Sequence, residues 1–372
     1  MFSSKARGTM DACRFCWMCR HVCPVGLVTG REVNTARGKG LLLSLVERGE
    51  PYEESIAGVM WECVLCGSCS NDCATGYDPP QYIREARELA AAEGLAPEPV
   101  RKLMEQMLPA GMLYGTSAEE KLAALADDLR GLPSKAEVLL YIGDVAAVKA
   151  PELAQAAISL MREAGIAFTV LREEPSSGAY LGDLIGFGEE VRRLGTALAQ
   201  AIDASGASTV VVLDPIDARM MKHEYAQWDI APKAAIRTAT SWYGQLVREG
   251  KLRPVRRDGL PVVTFHDAGA LARDLDELEE GRALLRAMGY PIHEMFLARK
   301  LAKSSGGALL PRYAPELAAM VARARWDDAL RTGAAVLVTE APGSYVALGS
   351  QRPEQMEEAD LLTLLAQACK TE

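Results

Sequence analysis

The sequence predicts a multidomain α+β protein, in which a helical N-terminal domain with two cysteine runs precedes a duplicated α/β body with mainly parallel strands. Three observations predict this fold class. Eight of the nine cysteines lie within the first 73 residues, in two runs of identical spacing. From residue 137 onward, short apolar segments alternate with longer helical ones, as in parallel strands joined by crossover helices. Landmarks in the first half of this body recur in the second half, which suggests a duplication.

The two cysteine runs share the spacing C-x2-C-x2-C-x3-C. This spacing is typical of proteins that carry two [4Fe–4S] clusters. Each cluster needs four thiolates, and three cysteines at two-residue intervals on one tight loop can bind three of its corners. The fourth ligand must therefore come from elsewhere. The runs comprise Cys13, Cys16, Cys19 and Cys23, followed by Pro24, and Cys63, Cys66, Cys69 and Cys73, followed by Ala74.

The runs resemble those of bacterial two-cluster ferredoxins, in which the last cysteine of each run ligates the other cluster. The absence of proline after the second run removes a turn constraint but no ligand. The resemblance therefore implies two crossed ligand sets. The first set is Cys13, Cys16, Cys19 and Cys73, and the second set is Cys63, Cys66, Cys69 and Cys23.

Other uses of cysteine fit these runs less well. A disulfide framework requires an oxidising compartment, and the opening MFSSKARGTMDAC lacks the apolar stretch of a secretory signal. Structural zinc also uses C-x2-C pairs, but zinc sites usually take two ligands from each of two knuckles. A third cysteine at the same interval would then remain unused. Zinc is the main alternative to the clusters, and inert buried thiols are the second.

The composition limits which classes of partner and which cellular locations are expected for this protein. A net charge of −9 argues against nucleic acid as a partner. Residues 1–50 nevertheless carry eight Lys and Arg against four acids, which either compensates the charge of the cluster thiolates or forms a docking face for an acidic partner. No apolar run approaches the roughly 18 residues of a membrane span. We expect a cytoplasmic protein without a transmembrane segment, or one held peripherally at the inner face of the membrane through a complex.

Helix signals dominate residues 1–95, the predicted cluster domain. The sequence predicts an amphipathic helix over residues 35–47, which ends where Gly49 and Pro51 follow. A proline pair at 79–80 starts a second helix, which extends to residue 93 and ends before a glycine. The cluster domain is therefore predicted to be helical.

Residues 96–135 are predicted to link this domain to the body. Residues 96–116 mix proline, glycine and methionine and are predicted to be a connector. Ser117 and Glu120 then form a capping box, which predicts a helix that continues to Arg130.

The body is predicted to consist of two α/β repeats, residues 136–255 and residues 256–372. Apolar segments bounded by turn signals predict its strands, and longer segments with terminal proline or glycine predict its helices. The predicted strands cover 138–142, 167–171, 209–213, 262–265 and 335–339, with a short extended piece near 292–296. The predicted helices cover 151–164, 189–204, 275–288, 315–331 and 354–368.

Two landmarks support the duplication. Ser-Ser-Gly at 176–178 recurs at 304–306, which is 128 residues later. The x-Pro pair at 214–215, just after a predicted strand, recurs at 341–342, which is 127 residues later. The alternative is that both landmarks are merely common turn sequences.

This layout resembles the iron–sulfur subunit family of glycolate oxidase, anaerobic glycerol-3-phosphate dehydrogenase, lactate utilisation and heterodisulfide reductase, over essentially the whole chain. In that family the body consists of two CCG domains. Each has a lone cysteine after its first strand, a Cys-Cys-Gly motif and a Cys-Pro-x-Cys motif. This chain keeps the frame and has lost the cysteines. The vacated positions are Asp144, Ser176, Ser177, Asp214 and Asp217 in the first copy and Gly269, Ser304, Ser305, Ala341 and Ser344 in the second.

The resemblance also implies what the body lacks. In heterodisulfide reductases the CCG cysteines assemble the catalytic iron–sulfur centre, for which hydroxyl and carboxylate groups are poorly matched ligands. We therefore expect both CCG-like sites to be without iron.

Three of the vacated positions carry carboxylates and could serve another purpose. Asp144, Asp214 and Asp217 would converge in the fold and could bind a hard cation. The alternative is that an aspartate after a strand caps the next helix, a role expected for Asp217. His266 is expected to be a satisfied core histidine, and Cys369 an ordinary thiol.

We expect an electron-transfer subunit whose two [4Fe–4S] clusters relay electrons between a flavin-dependent dehydrogenase partner and a downstream acceptor. The resemblance implies that the flavin belongs to the partner, and that the acceptor is an electron-transfer flavoprotein or a quinone-linked protein. The body would then be a docking scaffold with no catalytic residue. Two alternatives are a reductase whose emptied body binds a substrate or a hard metal, and a non-redox assembly protein.

Overall fold

The computed structural model describes residues 2–370. The N-terminal part is helical, as predicted, and the two helices expected there form at Ala36–Glu47 and Pro79–Ala92. The first of them begins after Thr35, whose hydroxyl accepts a hydrogen bond from the amide of Gly38 at 3.0 Å. The α-helices of this part are Ser4–Asp11, Met18–Val22, Pro24–Thr29, Ala36–Glu47, Glu54–Trp61, Ser68–Asp72, Pro79–Ala92 and Glu98–Met107, with a 3-10 turn at Glu32–Asn34.

The linking region differs from its prediction in two places. The predicted connector contains the helix Glu98–Met107, whose apolar side is buried at Val100 and Leu103. The capping box is present, because Ser117 and Glu120 each accept a hydrogen bond of 3.1 Å from the other residue's amide. The helix that it starts is wrong in length and type, since only a 3-10 segment forms, over Glu120–Leu125.

The first part of the body forms a four-stranded parallel sheet. Its strands are β1 (Val138–Tyr141), β2 (Phe168–Thr169), β3 (Thr209–Val212) and β4 (Ala235–Thr238), in the order β2-β1-β3-β4. The sequence does not predict β4, because this short edge strand is partly exposed and lacks a continuous apolar run. The helices of this part are Asp144–Lys149, Pro151–Glu163, Ala179–Ile185, Glu189–Ser205, Pro215–Arg219, Tyr225–Gln227 and Ala239–Arg248, with a π-helical turn at Met220–Glu224.

The second part forms a three-stranded parallel sheet. Its strands are β5 (Val263–His266), β6 (Val336–Thr339) and β7 (Glu357–Asp360), in the order β5-β6-β7, and a parallel bridge joins Ile292 to Val263 beside β5. The helices are Glu280–Met288, Pro315–Leu330, Pro342–Gly349 and Leu361–Cys369. A π-helical turn covers Ala270–Asp274, and 3-10 turns cover Arg299–Leu301 and Leu310–Arg312.

Two helix predictions in this part are partly wrong. The predicted helix 275–288 begins only at Glu280. Within the predicted helix 354–368, the structure instead has strand β7, and a helix begins only at Leu361. The sequence of β7 is Glu-Glu-Ala-Asp, a composition typical of a helix, which forms an edge strand here because β6 supplies its hydrogen-bonding partners.

The two sheets share one hydrophobic core. Leu140 and Ile142, at the end of β1, belong to the same buried cluster as Val263 and Phe265 of β5. The cysteine-rich part packs onto the other side of the first sheet. There the indole of Trp61 donates a hydrogen bond of 2.9 Å to a buried backbone carbonyl of the body. The second cysteine run is thereby held against the body. Within residues 2–370, no helix combines the length and the apolar character needed to cross a membrane.

Candidate iron–sulfur centres and the cavity beside them

The two cysteine loops follow the same backbone course. Each ends in a five-residue helix, Met18–Val22 in the first loop and Ser68–Asp72 in the second. Each also has left-handed residues two and four positions after its first cysteine, a conformation that costs roughly 1–2 kcal/mol for residues other than glycine. Their φ angles are 55° for Phe15 and 68° for Trp17 in the first loop, and 49° for Leu65 and 71° for Gly67 in the second.

Four thiols gather around the first loop. Burial raises the pKa of Cys19, and the nearby thiolates of Cys13, Cys16 and Cys73 raise it further by like-charge repulsion. Cys73 comes from the other run. Although its partial burial opposes the shift, hydrogen bonding from Thr75 holds the pKa of Cys73 below its usual value. This group therefore combines three cysteines of the first run with the last cysteine of the second.

A second group of thiols mirrors the first. Burial raises the pKa of Cys69 well above its usual value, and the thiolates of Cys66, Cys63 and Cys23 contribute further. Burial likewise raises the pKa of Cys23 to about 11, and the thiolates of Cys63 and Cys66 add to this increase. The thiolates that raise the pKa of Cys23 therefore belong to the second run.

A buried lysine lies beside the second group. Lys39 is almost fully buried, and its ammonium donates a hydrogen bond of 2.7 Å to the carbonyl of Asn34. Burial lowers the pKa of Lys39, whereas the thiolates of Cys63 and Cys23 oppose that shift by favouring the charged form. A cation in this position compensates negative charge on the thiolates. Nothing in the sequence pattern singles out this residue.

The two loops differ in how the rest of the chain covers them. At the second loop, Arg273 of the body donates a hydrogen bond of 2.7 Å from Nε to the carbonyl of Cys66. The same side chain donates a bond of 2.9 Å from Nη1 to Ala302, whose carbonyl also accepts a bond of 3.4 Å from Ser68. At the first loop, Cys16 is exposed. The first loop therefore faces outward, and the second faces the body.

The chemistry of these donors fits [4Fe–4S] clusters. All eight cysteines are free thiols, and several are packed against the apolar core of the N-terminal part. Among the residues that the structure describes, no three His, Cys, Asp or Glu side chains converge as they would around a single metal ion. A cluster does not require that convergence, because each of its four thiolates binds a different corner iron.

The positions predicted to be vacated in the first half of the body form a buried polar network. Asp144 accepts a hydrogen bond of 2.7 Å from the amide of Leu113 and lies 3.4 Å from the ammonium of Lys121. Ser176 donates a bond of 2.9 Å to a backbone carbonyl, and Ser177 donates one to Asp217. These side chains make contacts that stabilise the fold.

Asp214 and Asp217 have roles other than those expected. The capping residue is Asp214, whose carboxylate accepts a bond of 3.2 Å from the amide of Ile216 and one of 2.7 Å from the hydroxyl of Tyr180. The expectation that Asp217 caps a helix is wrong, because Asp217 lies inside the helix that Asp214 caps. Burial raises the pKa of Asp217 well above its usual value, and the carboxylates of Asp214 and Asp144 add to this. The three carboxylates thus interact electrostatically, and each accepts a hydrogen bond from the protein, but within residues 2–370 they do not form a group that could hold a metal ion.

The corresponding positions in the second half of the body have smaller side chains, which form fewer hydrogen bonds. The hydroxyls of Ser305 and Ser344 lie 3.3 Å apart. Ser304 accepts a bond of 3.1 Å from the amide of Gly306. Nearby His266 is fully buried and accepts a bond of 3.0 Å from Arg325, as expected of a core histidine.

One cavity of about 100 Å³ joins the second cysteine loop to vacated positions of both repeats. Arg219 also lines it, and the Nε of this buried side chain has no hydrogen-bond partner among the described residues. The other large polar residues of its lining are Arg87, Tyr180, Asp183, Arg273, Asp274 and Tyr313. The cysteines and vacated positions at its wall are Cys63, Cys66, Asp214, Gly269, Ser304, Ser305, Ala341 and Ser344. These residues belong to motifs that are far apart in the sequence, and the fold brings them to one cavity.

Comparisons with known proteins agree with this chemistry. Residues 9–77 match the 4Fe-4S dicluster domain family. The chain is 25% identical over 335 residues to a probable membrane-anchored ferredoxin from Chromohalobacter salexigens, an alignment that covers 80% of this chain and 50% of that protein. It is 24% identical over 388 residues to one subunit of the dihydromethanophenazine:CoB–CoM heterodisulfide reductase from Methanosarcina acetivorans, with 96% of this chain and 94% of that subunit covered.

A third relative is EtfAB:quinone oxidoreductase from Syntrophomonas wolfei, 22% identical over 350 residues, with 78% of this chain and 47% of that protein covered. The chain thus spans about half the length of two of these relatives and nearly all of the third. A crystal structure of a hypothetical protein from Helicobacter pylori superposes with a TM-score of 0.56 at 10% identity. It covers 100% of this chain and 74% of the other, a likeness that concerns the fold alone.

Proposed function

Since the chain belongs to the iron–sulfur subunit family of glycolate oxidase, anaerobic glycerol-3-phosphate dehydrogenase and heterodisulfide reductase type, we propose that its two clusters form a relay between an exposed and a covered site. The protein is an iron–sulfur electron-transfer subunit of the kind found in oxidoreductase complexes. The observation that carries the relay is the pairing of an outward-facing thiol group around Cys19 with a covered group around Cys69. A relay needs no acid–base residue, because cluster charge, hydrogen bonds and solvent access set the potentials.

In this proposal the crossed sets hold the clusters. Cys13, Cys16 and Cys19 bind one cluster with Cys73, and the remaining four cysteines bind the other. The neighbours that shift the pKa of Cys19 and of Cys23 support this division. The zinc alternative would require each set of four thiolates to meet at one ion, at about 2.3 Å from each sulfur.

The flavin of the complex is proposed to lie on a dehydrogenase partner. One relative is named EtfAB:quinone oxidoreductase, which supports an electron-transfer flavoprotein or a quinone-linked protein as the other member of the chain of carriers. Another is named a membrane-anchored ferredoxin, which supports peripheral attachment through a complex.

The body is proposed to be a duplicated CCG-like scaffold, with repeats over residues 136–255 and 256–372 after a cluster domain at 1–95 and a link at 96–135. The strand order supports the duplication. The piece at Ile292 lies beside β5 as β2 lies beside β1, and both sheets continue through the two following strands. Without thiolates at the vacated positions, neither repeat is expected to bind a catalytic cluster.

Metal analysis tests the cluster proposal. Because eight thiols are available in two groups and the vacated positions carry none, anaerobically prepared protein should contain about eight irons and eight acid-labile sulfides per chain. Reduction with dithionite should produce the electron paramagnetic resonance signals of two clusters. Stoichiometric zinc, or a third cluster after reconstitution, would contradict the proposal.

A second candidate function rests on the cavity. Its wall joins the covered cysteine loop to Asp214 and Arg219, so a small molecule there would lie next to a cluster. The unpartnered Nε of Arg219 favours an anionic or polar ligand. In this case the body would be an active site and the protein a reductase.

Replacing Asp214 distinguishes scaffold from active site. Asp214→Asn keeps the shape of the side chain and removes its charge, so on the scaffold hypothesis the native complex should keep its cluster content and its turnover within a few-fold. The same is expected of Asp217→Asn, which lies away from the cavity wall and serves as the matched control. Loss of turnover in Asp214→Asn alone, with both clusters intact, would favour the reductase.

A further inference from the structure

The surface around Cys16 differs from the equivalent surface of the second loop. Phe15, Trp17 and Met18, here called the apolar face, are exposed by 52%, 42% and 49%. At the second loop the residue equivalent to Phe15 is Leu65, which is only 7% exposed. Three adjoining large apolar side chains around an exposed cysteine are unusual on a protein surface and typical of an interaction site.

The second loop shows what can cover such a surface. Its outer side is in contact with the body, through the bonds of Arg273 to Cys66 and of Ser68 to Ala302. A Cβ atom at Gly67 would lie 3.9 Å from Nε of Arg273, so the body occupies the space next to this position. In the first loop the equivalent residue, Trp17, is 42% exposed. The chain thus covers one of two similar loops and leaves the other free.

The backbone conformation at Trp17 does not favour a tryptophan. Its backbone is left-handed, which glycine adopts without strain, and the second loop has glycine at the equivalent position. Its side chain is 42% exposed and contributes little to the core. The guanidinium of Arg37 lies 3.6 Å from the centroid of its ring and holds the indole in one orientation. A strained, oriented and exposed aromatic residue is typical of a functional surface.

Among the described residues, two unpaired positive side chains lie beside the apolar face. Arg14 and Arg20 are exposed, and neither forms an ion pair with a carboxylate of residues 2–370. Arg20 also lies over the ring of Trp17, with 5.7 Å between its Cζ and the ring centroid. This local charge contrasts with the net charge of −9 of the whole chain. The face is therefore complementary to an acidic surface with an apolar centre.

We propose that the apolar face and its arginines are the docking site of an acidic electron-transfer flavoprotein, with Trp17 as the anchor. This inference rests on the proposed relay, of which it names the outer partner. One electron passes between the docked flavin and the cluster of the first loop. When the reduced flavin donates, the cluster that Cys13, Cys16, Cys19 and Cys73 would hold would gain the one electron that the flavin loses.

Stopped-flow kinetics with an acidic flavodoxin as the donor test the site. For the unmodified protein, the second-order rate constant should fall as ionic strength rises, because opposite charges steer the encounter. Trp17→Gly should lower this rate constant about ten-fold. Cluster content should be unchanged, because the second loop has a glycine with the same left-handed backbone at the equivalent position. Arg20→Glu should lower the rate constant and flatten its salt dependence.

Phe296→Gly is the matched control, since Phe296 is 99% exposed and lies outside the apolar face. It should change the rate constant by less than about two-fold. A rate constant unaffected by Trp17→Gly, or a rate constant of the unmodified protein that rises with ionic strength, would overturn the docking site. Clusters that dithionite cannot reduce would instead overturn the relay itself, so the two failures are distinguishable.

Discussion

Replacing Cys23 with serine should abolish the cluster of the second cysteine run and leave the cluster of the first run intact. Cys23 lies in the first run, and the thiolates of Cys63 and Cys66 in the second run raise its pKa, in addition to burial. A hydroxyl is a poor ligand for iron in a sulfur-rich cluster, so the second run would keep only three suitable ligands. The iron and sulfide content should fall from about eight to about four per chain.

This substitution should preserve the local fold. Cys23 is the N-cap of the helix Pro24–Thr29, and its sulfur accepts a hydrogen bond of 3.3 Å from the amide of Gly26. Serine is among the best N-cap residues, so the helix start remains satisfied. The loss should therefore reflect ligation. The measurement is the electron paramagnetic resonance spectrum of the reduced protein, together with its iron content.

Cys73→Ser provides the reciprocal test. Its thiolate lies near Cys19, so this variant should lose the cluster of the first run and keep that of the second. If instead Cys23→Ser removed the signal of the first run, each run would ligate its own cluster and the crossed assignment would be wrong.

The second large effect is expected at Lys121, beneath the vacated position Asp144. Its ammonium is completely buried and lies 2.8 Å from Glu174 and 3.4 Å from Asp144. Although burial opposes the charge, the carboxylates of Glu174 and Asp144 hold the pKa of Lys121 above its usual value. Lys121→Met should lower the free energy of unfolding by roughly 3–5 kcal/mol, because two buried carboxylates lose their counter-ion.

Urea denaturation followed by circular dichroism measures this loss. Lys102→Met is the matched control, because Lys102 forms an exposed pair with Glu98 and should leave the denaturation midpoint unchanged. Adding Glu174→Gln to Lys121→Met should recover part of the stability, since one uncompensated charge is removed. A Lys121→Met midpoint equal to that of the unmodified protein would refute the role of this ion pair.

Much of the local structure is predictable because its causes are local. The helices at 36–47 and 79–92 have proline, glycine or capping residues at their ends, and the buried strands β1, β3, β5 and β6 have continuous apolar runs. Edge strands are not predictable in this way. β7 consists mostly of acidic residues and is a strand only because β6 lies beside it.

The residues of the candidate sites also fall into two groups, those that local sequence predicts and those that only the fold reveals. The spacing of the cysteines is a property of the chain, so the sequence alone predicts cluster chemistry, in agreement with the match of residues 9–77 to the dicluster domain family. It also predicts the vacated positions, through the family resemblance. It does not identify Lys39, Lys121 or Arg219, because a buried charge is recognised only by its surroundings.

By itself, the sequence determined which thiols are present, how they are spaced, and that parallel strands alternate with helices in the body. Only the tertiary structure decided which cysteine loop is covered and which is exposed. The contact of Arg273 with Cys66 joins residues more than two hundred positions apart. No local sequence pattern predicts such a contact. The two loops have the same spacing and the same backbone course, and their different surroundings arise because only one of them packs against the body.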